Sequence, residues 1–198
     1  CRIVVPGYSE VYLAEDLIWD NTNQALLFRK DILNIHSLTH EELNDLLDRF
    51  EQVQLDHYTL ISGLIGIQFD ENSAWGKLDV GELKILIYLA LKKYSEAKEV
   101  VDDFLNFNDN IVKRVLFYQA LSAVLDITIK DELDIDDYLP NLNRMFGPEV
   151  MENVVGSVTG AITFYGLTKT SMKLEGLDKH LSLIESYKKL HKARDLQH

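Results

Sequence analysis

Histidines, carboxylates, a single cysteine and one glycine-flanked run are the residues here that could do chemistry, and their spacing decides whether they act together. The six histidines are His36, His40, His57, His180, His191 and His198, and none falls in an HExxH or other metal-ligand spacing. His40-Glu41-Glu42 sets an imidazole beside two carboxylates, the residue types of acid–base catalysis. Thr39 and Glu42, however, have capping-box spacing, so these acids belong to the first turn of a helix and favour its dipole. Asp131-Glu132-Leu133-Asp134-Ile135-Asp136-Asp137 offers oxygen ligands for calcium but lacks the loop Gly and distal Glu of an EF-hand. It reads as the acidic start of a helix. Asp70-Glu71-Asn72 fails the same test, with Trp75 where the loop Gly belongs. Gly156-Ser157-Val158-Thr159-Gly160 lacks the GK[ST] ending of a phosphate loop, and close helix packing or helix termination explains it better. Cys1, the only cysteine, sits in an apolar run without a reactive context, and no Ser-His-Asp order can be assigned. The sequence assigns no catalytic residue, no cofactor-binding residue and no metal ligand. The expectation is that this chain is not itself an enzyme.

Composition narrows the partners. At 198 residues with 46% hydrophobic residues, the chain suits one domain with a substantial core, or a domain plus a short piece of another. Its formal charge is −12, from 32 acidic against 20 basic residues, which argues against a nucleic-acid partner. The one basic cluster, Lys188-Lys189 through Lys192 and Arg194, suits the end of a helix, where it opposes the negative pole of the macrodipole. No apolar run is long enough to span a bilayer, and no signal peptide is visible. A single cysteine excludes an internal disulfide. The cytoplasm is the simplest compartment.

The elements that would position these residues are helices. Periodicity predicts one through Ala25, Phe28, Ile32 and Leu33, then one after Thr39 burying Leu43, Leu46, Leu47, Phe50 and Val53. From Asp56 to Trp75 a short helix and a loop are expected. A second capping box, Asp79 to Glu82, opens a helix from Gly81 to Lys93 that is apolar almost all round, the mark of burial between neighbours. Ser95 is expected to cap the next helix, through Ala97, Val100, Val101, Phe104 and Leu105. Long apolar and shorter helices follow, Ile111 to Ile129 and Ile135 to Phe146, the latter closed by Gly147 and Pro148. Glu149 to Val155 predicts another, and Ala161 to Tyr165 a short strand or tight loop. Leu177, Leu181, Ile184, Tyr187 and Leu190 mark a last amphipathic helix whose stripe needs a docking surface, most simply the repeat-like helices before it.

A shift of 34 residues, the tetratricopeptide period, places Leu83 on Phe117, Ile87 on Leu121, Ala90 on Val124 and Leu91 on Leu125. Val101-Asp102-Asp103-Phe104-Leu105 then falls on Ile135-Asp136-Asp137-Tyr138-Leu139. Tyr88, Tyr94 and Ala97 match consensus positions; Ile85, Phe104 and Asp109 depart from them. The expected fold is mainly all-α, antiparallel helical hairpins of a degenerate tetratricopeptide-like type, with the repeat-like core at about 79–147.

The opening residues differ. Ile3, Val4 and Val5 are β-branched and Pro6-Gly7 ends the run, which predicts a buried strand with no partner strand downstream. Residues 1–20 are therefore expected to end an upstream domain and 21–198 to form the helical one. Arg2-Ile3-Val4-Val5-Pro6-Gly7-Tyr8-Ser9-Glu10-Val11-Tyr12, with Glu15-Asp16-Leu17-Ile18-Trp19-Asp20-Asn21, resembles the end of a YcaO domain passing into its C-terminal extension. Phe164-Tyr165-Gly166-Leu167-Thr168 and Lys173-Leu174-Glu175-Gly176-Leu177 carry the same resemblance.

The resemblance implies a parent enzyme that uses ATP to activate a backbone amide, with its ATP and magnesium ligands upstream of this chain. It also implies a tetratricopeptide-like extension. Cyclodehydratase relatives often end in a PxPxP tail, whereas Ala193-Arg194-Asp195-Leu196-Gln197-His198 holds none. That difference favours the branch that assists β-methylthiolation of a ribosomal small-subunit protein. The resulting expectation is a non-catalytic helical module that self-associates, as a homodimer, or holds a protein partner. The rival expectation is an extension that reaches the active site of the intact enzyme through the turn at Pro6-Gly7, with Tyr8, Ser9 and Glu10.

Overall fold

A computed structural model describes residues 24–107, 112–130, 132–174 and 176–195 of the chain. The expected opening strand, Cys1 and the Pro6-Gly7 turn lie outside the described residues, as do Ile111 and Asp131. Among the described residues the fold is all-α, with a single isolated antiparallel bridge, Leu60 to Asp79.

The helices fall where apolar periodicity and caps place them. α1 (Gln24–Leu33) buries Phe28, Ile32 and Leu33. α2 (His40–Gln52) starts at Thr39, whose hydroxyl accepts from Glu42 N while the Glu42 carboxylate accepts from Thr39 N at 2.7 Å. It buries the expected Leu43, Leu46, Leu47 and Phe50. The stretch after it is irregular, as expected, holding only α3 (Ile61–Ile65) and α4 (Ala74–Lys77). Backbone bonds Ile61 N to Leu78 O (2.9 Å) and Val80 N to Thr59 O (3.0 Å) close this excursion onto the start of α5 (Val80–Ala90). Asp79 caps α5 by accepting from Glu82 N at 2.8 Å.

α5 is buried on every side, and it is the wall between two cores. Val80, Leu83, Leu86 and Ile87 face the first, with α1–α4; Ile85 and Leu89 face the second. The second core is built by α6 (Tyr94–Phe107), α7 (Val112–Thr128), α8 (Ile135–Phe146) and α9 (Pro148–Thr159). Consecutive helices α5 to α9 pack on one another, and α9 returns across α7 and α5. The residues that a 34-residue shift superposes do not share surroundings. Leu83 and Ile87 lie in the first core, Phe117 and Leu121 in the second.

Three expectations need correction. Ser95 does not cap α6; the helix already runs from Tyr94, and Ala97 N bonds to Lys93 O at 3.0 Å. α9 extends past Val155 to Thr159, and Gly156 lies inside it, where Ile162 folds back so closely that a Cβ would sit 2.7 Å from its Cδ1. The final helix, α10 (Asp178–Asp195), is formed but does not dock along the earlier ones.

Candidate functional site

α10 is placed by the segment before it. After α9 the chain crosses the first core without regular structure, burying Phe164, Leu167 and Leu177 there. Polar bonds fasten it: Trp75 Nε1 donates to Thr168 O at 2.9 Å and the Thr170 hydroxyl to Leu33 O at 2.7 Å. His36 meets Phe164 edge-on at 5.3 Å, and Tyr165 stacks on Phe117 at 4.4 Å, so the segment touches both cores. Ala161 to Tyr165 is a loop, not a strand.

Of the stripe expected to dock on the preceding repeats, Leu177 at its head is buried in the first core. At the first turn of α10 Gln68 N donates to His180 Nδ1 at 3.2 Å and Lys179 pairs with Glu71 at 3.1 Å. A cleft of about 180 Å³ opens at this junction, lined by Gln68, Asp70, Trp75, Thr168 and Lys179 among others. Leu181, Leu183, Tyr187 and Leu190 are 38%, 57%, 66% and 71% exposed. Helical spacing divides its apolar residues between two faces, Leu177, Leu181 and Ile184 on one and Leu183, Tyr187 and Leu190 on another.

Several of the residues weighed for chemistry take part in caps and turns. Glu42 is tied to Thr39, whose backbone N–H holds its carboxyl below the usual range. Asp70 forms a turn, its Oδ1 accepting from Asn72 N at 2.8 Å and its carbonyl from the Ser73 hydroxyl at 2.6 Å. Asp134 caps α8 by accepting from Asp136 N at 3.0 Å. The Ser157 hydroxyl donates to Asn153 O at 2.7 Å within α9, and the run from Gly156 to Gly160 ends that helix. Among the described residues no three His, Cys, Asp or Glu side chains converge in a way that could hold a metal.

Sequence inspection passed over one charged cluster. α5 looks purely apolar, yet Lys84 is buried in it, its ammonium 2.5 Å from Glu51 Oε1 and 3.4 Å from His57 Nε2. Its partner lies on α2, out of reach of any local pattern. A second cluster joins α6 to α7: Lys98 bonds Asp102 at 2.5 Å and lies 3.4 Å from Asp126, while the Ser122 hydroxyl donates to Asp102. Burial opposes the charge on Lys98, but the two carboxylates outweigh it and hold its pKa above the usual lysine value.

A family model, the YcaO cyclodehydratase C-terminal domain, matches residues 25–196, nearly all of the described chain. The chain belongs to that family. Among its curated relatives is an uncharacterised protein of Haemophilus influenzae, 31% identical over 98% of this chain. Another is the ribosomal protein S12 methylthiotransferase accessory factor YcaO of Escherichia coli, 28% identical over 98% of this chain. This YcaO C-terminal domain spans 34% of the length of each. Among the described residues no helix is long and apolar enough to cross a membrane.

Proposed function

We propose that this YcaO C-terminal domain is a non-catalytic helical scaffold that holds a protein, either a second copy of itself or a partner. The observation that carries this reading is α10, an 18-residue helix fastened at one end with leucines exposed along the remainder. An exposed apolar helix face on a packed body suits recognition of another protein surface. The name of the Escherichia coli relative, an accessory factor, supports the same reading. The consecutive helix pairs α5–α6 and α7–α8 support a degenerate tetratricopeptide-like scaffold. The parent protein in this proposal uses ATP and magnesium in a preceding domain to activate a backbone amide, in the cytoplasm. Its proposed task is assistance to methylthiolation of a ribosomal protein.

Two measurements test the proposal. Pull-down with the longer parent protein, intact and lacking this domain, is expected to lose its protein partner or its self-association on deletion. Calorimetric titration of ATP into the 198-residue chain is expected to give no binding heat; micromolar affinity would overturn the scaffold reading.

A further inference from the structure

We propose that His36 is a pH-sensitive latch on the segment between α9 and α10, which lies on the first core while the imidazole is neutral and lifts from it when the ring takes up a proton. The inference concerns a movement within the chain and holds whichever protein the scaffold binds. His36 lies in the single helical turn Ile35–Ser37 that joins α1 to α2. Its ring meets Phe164 edge-on at 5.3 Å, and the backbone at Leu167 and Thr168 lies beside it. Its Nε2 is buried and has no hydrogen-bond partner among the described residues. A neutral imidazole tolerates this, because one of its nitrogens carries no proton. An imidazolium carries N–H groups on both, and a buried cationic donor without an acceptor is costly.

The charge that acts on the ring belongs to the segment itself: Lys169 repels a second cation there. The acids flanking the turn in sequence are engaged or exposed. Asp31 binds Arg49, Glu42 closes onto Thr39, and Glu41 is exposed, as are Lys30 and Lys173. Lifting the segment frees the ring and carries Lys169 away, so burial and repulsion are relieved together. The segment is built to yield before the helices do. Phe164 holds a φ of 53°, a left-handed backbone that a side chain adopts only under constraint. Its seat is gathered within residues 164–170, where Trp75 Nε1 donates to Thr168 O and the Thr170 hydroxyl to Leu33 O. Opening there uncovers Phe164 and Leu167, whereas opening α5 uncovers both cores.

Hydrogen exchange in the 198-residue chain, read as protection factors from about pH 8 to about pH 5, gives the test. Below 6.5, the ordinary histidine value, amides of residues 164–170 are expected to lose protection by up to roughly tenfold per pH unit, the effect of one proton. They are also expected to exchange faster than those of α5. Equal protection in the segment and in α5 at acid pH would show that the segment opens only with the whole fold, and would overturn the inference. A gain in protection on acidification would overturn it too, since the imidazolium would then grip the backbone at Leu167 and Thr168. His36→Phe keeps an aromatic ring against Phe164 and is expected to remove the pH dependence. Lys169→Met leaves the histidine in place and is expected to make the loss shallower. Undiminished pH dependence in both variants would assign the proton elsewhere and sink the latch. Trp75, left as the one tryptophan in a Trp19→Phe chain, gives an optical reading. Its emission is expected to move to the red on acidification, with helical circular dichroism unchanged; a constant emission would count against release.

Discussion

His36 makes the stability of the fold depend on pH. Burial lowers its pKa from the ordinary 6.5, and the charge of Lys169 lowers it further. Because the folded pKa lies below the unfolded one, the unfolded chain binds more protons as pH falls through 6.5. Stability is therefore undiminished above that value and declines below it until the folded pKa is passed. Urea titrations at neutral and mildly acid pH are expected to show this decline, and His36→Phe is expected to flatten it. Lys84 sets a different problem, a buried cation whose main partner, Glu51, is 67% exposed. Glu51→Gln leaves that charge without its carboxylate and is expected to cost about 1–3 kcal/mol. Lys84→Met removes charge and need together and is expected to cost less. A larger loss for Lys84→Met than for Glu51→Gln in chemical denaturation would contradict this account.

Among the elements, α5 matters most, because it lends one face to each core. Ile87→Ala in the first core and Leu89→Ala in the second are each expected to cost about 2–5 kcal/mol. Circular dichroism melts should show each substitution lowering a single transition for the whole helical signal, not one of two. Much of this was legible in the sequence. Thr39 with Glu42 is a pattern closed within one turn, and the apolar run from Leu83 to Leu91 admits no exposed face. The beginning of α6 was misjudged at Ser95 because a serine that could cap was available one residue inside the helix. The docking of α10 was not legible at all. An apolar stripe shows that a helix can be covered, while coverage depends on whether the surface is still open. Here Leu177, at the head of the stripe, is buried in the first core, while Leu181 and Leu190 stay exposed. The partners of Lys84 and Trp75 escaped for a related reason, since they are set by tertiary distance and not by spacing.

For the whole molecule, α10 contributes little to the stability of the body it leaves. It contacts that body through Lys179 and His180, both near its first turn, and burying a few polar groups at the surface is worth little. A chain ending after Leu177 is expected to melt within a few degrees of the intact one, by calorimetry, while losing its self-association. A large drop in melting temperature would show that α10 supports the fold. α5 has the opposite standing. Neither core can open without stripping one side of it, so its amide protons reach solvent only when the entire molecule unfolds. Those of α10 need no such event. In deuterium the chain would then keep two clocks, a slow one at its centre and a fast one along its last helix.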